Sequence, residues 1–340
     1  MIKESIVKLS ERIDLAEAET AACMEDIMSG RATPAQIAAF LTALKMKGET
    51  VDELTGLARV MRSKATPLEI DDEVVVDTCG TGGDRKGTFN ISTAVAIVVA
   101  GAGLKVAKHG NRASTSATGS ADVLTALGVN IETGPETVAR CIREANIGFI
   151  FAPLFHSSMK FASEPRRELG FRTAFNLLGP LTNPVPNSRQ LIGVYSEDLT
   201  DKLARVLRNL GTERAMVVRG LDGLDEITTS DKTKITELKG QKIRGYYLEP
   251  EEYGIKRSRS EDLGAKDPDE SAQAIREVLD GRKGPKRDVV LVNAAAAIMI
   301  GGTAGDMKQG LALAAESIDS GRARDSLAKL IELSHEAAVQ

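Results

Sequence analysis

The chain has 340 residues, 42% hydrophobic and 27% charged, with a formal net charge of −4. That length exceeds what one compact core usually supports, so a two-domain, enzyme-sized protein is expected, and the acidic balance disfavours nucleic acid as the main partner. No uninterrupted apolar stretch reaches membrane-spanning length, and the N-terminal MIKESIVKLSERID lacks the apolar segment of a secretory signal, so a cytoplasmic chain without a membrane partner is expected.

The opening residues predict consecutive helices. Asp14 with Glu17 reads as a capping-box start and Gly30 as a stop; Thr33 before Pro34 starts another helix, and Thr50 with Glu53 forms a second capping pair. AQIAAFLTALKMKG and VDELTGLARVMRSK place apolar residues every three to four positions, so each has one face to bury. After Pro67 the texture changes. EVVVDTC, LKVAKHG, IGFIFAP, QLIGVYS and RAMVVRG read as short strands, with the first ending at Asp77, and helix-like segments separate most of them. Such alternation predicts an α/β fold with a mostly parallel central sheet covered by helices. Between the third and fourth runs, SEPRRELGFRTAFNLLGPLTNPVPNS predicts a helix after Ser163 and an insert that returns to the helical unit. The expected division is a small all-helical N-terminal domain, residues 1–70, completed by the insert near 164–190, and a larger α/β domain from 71–163 and 191–340. DVVLVNAAAAIMIGG reads as a buried Ala-rich helix followed by two amphipathic ones. Cys23, Cys79 and Cys141 stand singly, without zinc or redox-pair spacing.

Three loops carry chemistry. CGTGGDRKGTFNIST, residues 79–93, joins a strand to a helix. Its glycines let main-chain N–H groups converge on an anion, and the free amides of the next helix favour negative charge. Asn90, Ser92 and Thr93 add polar groups on the first helical turn. Alone, the string reads equally as a flexible turn with an ordinary cap; it is neither a Walker loop nor GxGxxG. KHGNRASTSATGS repeats the design at the same end of the next strand: Lys108 supplies a point charge, Asn111 two-way hydrogen bonding and Arg112 a fork of donors. Taken singly, His109 reads as a loop histidine, and Arg112 equally as an ion-pair partner. In RGLDGLDEITTS the adjacent Asp225 and Glu226, without nearby sulfur or imidazole, suit a hard cation such as Mg2+, although adjacent acids alone more often form a solvated face. Arg166 and Arg167 point about 100° apart on a helix, so one can face a cleft and clamp a carboxylate while the other serves the surface.

Read together, Asp77-Thr78-Cys79-Gly80-Thr81-Gly82-Gly83-Asp84, Thr88 to Thr93, Lys108-His109-Gly110-Asn111-Arg112, Gly119 to Leu124, Asn176 to Pro184, Leu224-Asp225-Glu226 and Asn293 to Ala296 closely resemble the anthranilate phosphoribosyltransferase family, in order across nearly the whole chain. The resemblance implies transfer of the phosphoribosyl group of 5-phosphoribosyl 1-pyrophosphate to the amine of anthranilate in tryptophan biosynthesis. It also implies a hinge between the domains and a homodimer formed through the helical one. Gly80, Gly83, Asp84, Thr88, Asn90, Ile91, Ser92 and Thr93 would hold the phosphoribosyl pyrophosphate, with Lys108, His109, Gly110, Asn111, Arg112, Ala113, Ser114, Thr115, Ser116 and Ser120. Ser92, Asp225 and Glu226 would bind Mg2+. Anthranilate would meet Gly80, Asn111 and Arg166, with His109, His156 and Pro180 lining its approach, and no residue is assigned as a general base. Arg85, Ala117 and Ser157-Ser158 depart from the family pattern at the edges of its motifs.

Two rivals follow from the same residues. A pyrimidine nucleoside phosphorylase would share the architecture, but phosphorolysis needs no metal bridging a pyrophosphate. A nucleic-acid-binding paralogue is disfavoured by the net charge of −4 and by the intact acidic pair.

Overall fold

Thr33 and Thr50 each start a helix by reciprocal capping. The Thr50 hydroxyl accepts from Glu53 N at 3.2 Å while Glu53 Oε2 accepts from Thr50 N at 2.8 Å, and Thr33 does the same with Gln36. The computed structural model describes residues 1–70, 74–84, 86–113, 118–186 and 188–336. In it the first 63 residues form α1 (Ile2–Ser10), α2 (Glu17–Met28), α3 (Pro34–Lys47) and α4 (Val51–Ser63). The start expected at Asp14 and Glu17 lies elsewhere. Ala16 is the N-cap and its N–H donates to Glu19 Oε2 at 2.9 Å, whereas Asp14 is drawn into an ion pair with Lys47 at 2.6 Å.

The chain continues through β1 (Val75–Gly80), α5 (Ile91–Gly101), β2 (Lys105–Gly110), α6 (Ser120–Leu127), α7 (Pro135–Ala145), β3 (Ile147–Phe151), α8 (Ala152–Phe155), α9 (Lys160–Leu169), α10 (Phe175–Leu181), β4 (Arg189–Gly193), α11 (Asp198–Asn209) and β5 (Arg214–Gly220). There follow β6 (Thr233–Lys239), β7 (Lys242–Leu248), α12 (Pro268–Leu279), α13 (Pro285–Gly301), α14 (Met307–Asp319) and α15 (Arg322–His335). β1 runs to Gly80, past the expected end at Asp77, so Asp77 sits inside a strand, fully buried, rather than in the loop. The helix expected after Ser163 begins four residues earlier, at Lys160, and holds Pro165 in its interior, preceded by a 3-10 turn over Ser157–Met159.

Among the described residues, seven strands form one sheet in the order β3-β2-β1-β4-β5-β6-β7. β1 to β5 pair in parallel, and β6 and β7 add an antiparallel hairpin. The period-2 alternation of strand side chains divides the core. Val76, Val106, Leu191, Met216 and Val218 face α5 and α13 to α15. Ile192, Ala215 and Val217 face the other way, sharing a core with Phe40 and Leu54 of the N-terminal helices and with Phe175 and Leu178 of the insert. α9 packs on α2 and α3, and α10 on α4. No described helix is long and apolar enough to cross a membrane.

Candidate active site

β1 and β4 are neighbours, with Gly80 paired to Gly193, yet the chain leaves β1 towards β2 and leaves β4 towards β5. Loops at their carboxyl ends therefore diverge and open a crevice, the usual ligand position in such sheets. The acidic loop after β5 lies directly over it. A Cβ on Gly193 would stand 1.5 Å from the Asp225 carbonyl oxygen, so only glycine lets the two segments touch.

A cavity of about 510 Å3 fills the crevice. Its wall brings together Gly80, Gly83, Asp84, Thr88, Asn90, Ile91 and Ser92 from the end of β1 to the start of α5, Lys108 to Ala113 from the end of β2 and the loop beyond it, Ser120 at the start of α6, and Asp225 with Glu226. Lys108 is almost fully buried; its ammonium donates to Thr78 O at 2.7 Å and to Ser92 Oγ at 3.3 Å. Burial lowers its pKa, opposed by the charge of buried Asp77. Asn90 ties the loops together, its Nδ2 donating to Thr118 Oγ1 at 3.0 Å. Thr93 is not on the wall: it is fully buried and donates to Asn90 Oδ1 at 3.3 Å, holding that side chain from below. Ser114, Thr115 and Ser116 lie outside the described residues, as do Arg85 and Ala117. For Arg112 the ion-pair reading is realised. Its Nη1 lies 3.1 Å from Asp122 Oδ1, while Oδ2 of the same carboxylate accepts from Ala113 N and Gly119 N and so shapes the loop.

The acidic corner is crowded. Burial, then the charge of Asp84, pushes Asp225 up to about 7; burial, then Asp225, pushes Glu226 well above the usual carboxylate range. Asp84 Oδ2 is buried without a hydrogen-bond partner. Three carboxyl groups held this way call for a cation. One or two of these carboxylates, together with waters and substrate phosphates, are the ligands Mg2+ commonly takes.

A second cavity of about 440 Å3 adjoins the first, sharing Cys79, Gly80, Thr81, His109, Gly110 and Asn111 as a common wall. It collects all six residues expected around the aromatic substrate: Gly80, Asn111, Arg166, His109, His156 and Pro180. The Arg166 guanidinium lies 5.0 Å from the Phe175 ring centroid, its pKa lowered by burial, and no ion pair engages it among the described residues. Arg167, the next residue, is exposed beside Glu164 at 3.8 Å. One arginine faces the cavity and the other the surface, as their spacing requires.

The chain matches the glycosyl transferase family, helical bundle domain, over residues 3–65 and the glycosyl transferase family, a/b domain, over 72–324. It is 52% identical over 339 residues to anthranilate phosphoribosyltransferase of Alkaliphilus metalliredigens, covering 100% of both chains. To the enzyme of Moorella thermoacetica it is 54% identical, covering 97% of this chain and 98% of that one. The chain belongs to the anthranilate phosphoribosyltransferase family. The crystal structure of the Thermus thermophilus anthranilate phosphoribosyltransferase superposes with a TM-score of 0.92 at 40% identity, covering 98% of this chain and 99% of that one. The Saccharomyces cerevisiae anthranilate phosphoribosyltransferase, in complex with PRPP and Mg, gives 0.89 at 29% identity, covering 98% and 97%. The yeast protein is also seen in complex with 4-fluoroanthranilate.

In this anthranilate phosphoribosyltransferase family member one residue near the site escaped the sequence reading. Arg172, in the turn between α9 and α10, stacks 4.6 Å from the Tyr195 ring centroid and lies on Gly83, where a Cβ would come 1.2 Å from Nη2. Gly83 has φ +83° as well, so the glycine serves both a left-handed turn and this close approach. Arg172 thereby braces the glycine loop from the insert. No local pattern marks it; its role exists only once the insert folds back over β1.

Proposed function

We propose that this chain transfers the phosphoribosyl group of 5-phosphoribosyl 1-pyrophosphate to the amine of anthranilate, giving N-(5-phosphoribosyl)anthranilate and pyrophosphate, in tryptophan biosynthesis. The observation that carries this reading is the pair of adjoining cavities with a shared wall: one built for a polyanion and a cation, the other aromatic-sized with an arginine that no ion pair engages among the described residues. An activated sugar in the first and an aryl amine in the second would meet at Gly80 and His109 to Asn111. The yeast relative's complexes with PRPP and Mg and with 4-fluoroanthranilate support the same assignment.

The chain's own groups suit the chemistry. As pyrophosphate leaves C1 of the ribose, negative charge grows on it and positive charge on the sugar. Lys108 and the main-chain amides of Gly82 to Asp84, on the wall of the first cavity, suit the leaving charge, the Thr81 amide being taken by Gly193 O at 2.9 Å. Ser92, Asp225 and Glu226 would hold Mg2+, which when bound supplies further counter-charge to the pyrophosphate. Arg166 would clamp the carboxylate of anthranilate and so present its weakly basic amine to C1, a contribution of positioning rather than of proton abstraction. Loss of anthranilate fluorescence on adding protein, phosphoribosyl pyrophosphate and Mg2+ is expected, and none with the metal chelated. A flat signal from folded protein with metal present would refute the reaction.

The same reading makes the protein a homodimer through its helical unit. Val7 and Ile13 are half-exposed and Met46 is 73% exposed, and Leu9, Ala39 and Ala43 line a groove beside Met46 between α1 and α3. Such a face gains from burial against a copy of itself. Met46→Glu with Val7→Glu is expected to turn a dimeric sedimentation profile monomeric; an unchanged profile would place the interface elsewhere. The cytoplasmic expectation stands beside this, with three buried free cysteines of the kind a reducing compartment preserves.

A further inference from the structure

The glycine loop holds its shape without side chains of its own. Gly82 and Gly83 have φ of +64° and +83°, and among the described residues neither of their amides donates a hydrogen bond. Free amides suit an anion, but glycine also has the most backbone freedom to lose when one binds. The flanks are pinned. The Thr81 amide donates to Gly193 O at 2.9 Å, Thr81 Oγ1 accepts from Tyr195 N at 3.2 Å, and Asp84 Oδ1 accepts from Lys86 N at 3.2 Å. Between those anchors Gly82 has nothing within 4 Å of the place its Cβ would take, whereas at Gly83 that place is filled by the Arg172 guanidinium.

Arg172 is itself well seated. Gly170, with φ +65°, ends α9, and the Thr173 amide donates to Asn176 Oδ1 at 3.0 Å, so the turn that carries Arg172 is fixed on both sides. The guanidinium then lies 4.6 Å from the ring centroid of Tyr195, the same residue whose amide holds Thr81. Arg172 lines neither cavity. It therefore reaches a ligand only through Gly83, which does line the first.

We propose that Arg172 is a positioning residue for the pyrophosphate: seated on Tyr195, its guanidinium backs Gly83 and keeps the Gly82 to Asp84 amides in the arrangement that receives the anion. This rests on the function proposed above and adds to it what presets the loop. Order supplied in advance by the insert is not drawn from the free energy of binding. The amides face the pyrophosphate before and during its departure, so the gain belongs to KM rather than to kcat. It is also confined to the pyrophosphate end of the substrate, because Gly83 is the part of the wall that Arg172 touches.

The test uses phosphoribosyl pyrophosphate as substrate and inorganic pyrophosphate and ribose 5-phosphate as separate inhibitors, all with Mg2+. Arg172→Ala is expected to raise the KM for phosphoribosyl pyrophosphate and the inhibition constant of pyrophosphate about tenfold, roughly the cost of ordering one residue's backbone. The kcat and the inhibition constant of ribose 5-phosphate should stay within about twofold. Tyr195→Leu, which removes the seat, should act like Arg172→Ala, Tyr195→Phe should keep the wild-type constants, and Arg172→Ala with Tyr195→Leu should be no worse than either alone. Equal weakening of pyrophosphate and ribose 5-phosphate, or an unchanged pyrophosphate constant, would overturn the positioning role. Full recovery by Arg172→Lys would overturn it too, since a point charge would then suffice without the planar stack. Inactive wild-type protein would instead sink the transferase reading, while pyrophosphate binding followed by calorimetry would still decide on Arg172.

Discussion

Arg166→Ala is expected to raise the KM for anthranilate on the order of 100-fold while leaving the KM for phosphoribosyl pyrophosphate within about twofold. The guanidinium has given up water without gaining a carboxylate: it lies over Phe175, its pKa is lowered by burial, and no ion pair engages it among the described residues. Its desolvation is offset when an anion arrives, and truncating one member of such a buried pair costs about 2–5 kcal/mol, tenfold for every 1.4 kcal/mol. Arg166→Lys should recover only part of the loss, because a point charge replaces a planar fork. The free protein is expected to melt no lower after Arg166→Ala, since an unpaired, partly desolvated cation has been removed. A parallel rise in both KM values, or a marked loss of stability, would mean that Arg166 holds the fold and not the substrate.

Much of this arrangement is local chemistry and could be read from the chain. Capping pairs at Thr33-Gln36 and Thr50-Glu53 are closed within four residues, and five runs of β-branched residues mark the parallel strands. β6 and β7 were not legible because both mix charge with apolar residues, as in TKITELK and KIRGYYL, and β7 is largely exposed; their pairing depends on β5 being already in place. The glycine loop, Lys108 and the acidic pair could be recognised because an anion site needs those residue types. The support beneath them could not. Thr93 looks like a ligand donor in the sequence and proves to be a buried prop for Asn90. Arg172, which no sequence pattern marks, lies on Gly83. In both cases tertiary packing decides which way a polar side chain points, and no pattern along the chain carries that information.

The double replacement Asp225→Asn with Glu226→Gln tests the other half of the site, and it should separate stability from function. In the metal-free protein, Asp225 is pushed up to about 7 by burial and then by the charge of Asp84. A carboxyl whose folded pKa exceeds its unfolded value contributes stability fully below the unfolded value and loses it as pH rises through the folded one. The chelated wild-type protein is therefore expected to lose melting temperature between about pH 4 and about pH 7 from this group, with Glu226 shifting in the same direction. The double variant, whose amides cannot ionise, should flatten that slope and melt higher than wild type above pH 7 without metal. Its catalysis should fail: kcat/KM for phosphoribosyl pyrophosphate is expected to fall on the order of 1,000-fold, about 4 kcal/mol of lost charge stabilisation, and the Mg2+ dependence should weaken. A variant that kept the wild-type Mg2+ dependence would show that these carboxylates do not hold the ion. A variant that lost activity and also melted lower at every pH would show that the acidic corner braces the crevice rather than storing repulsion for a cation to relieve.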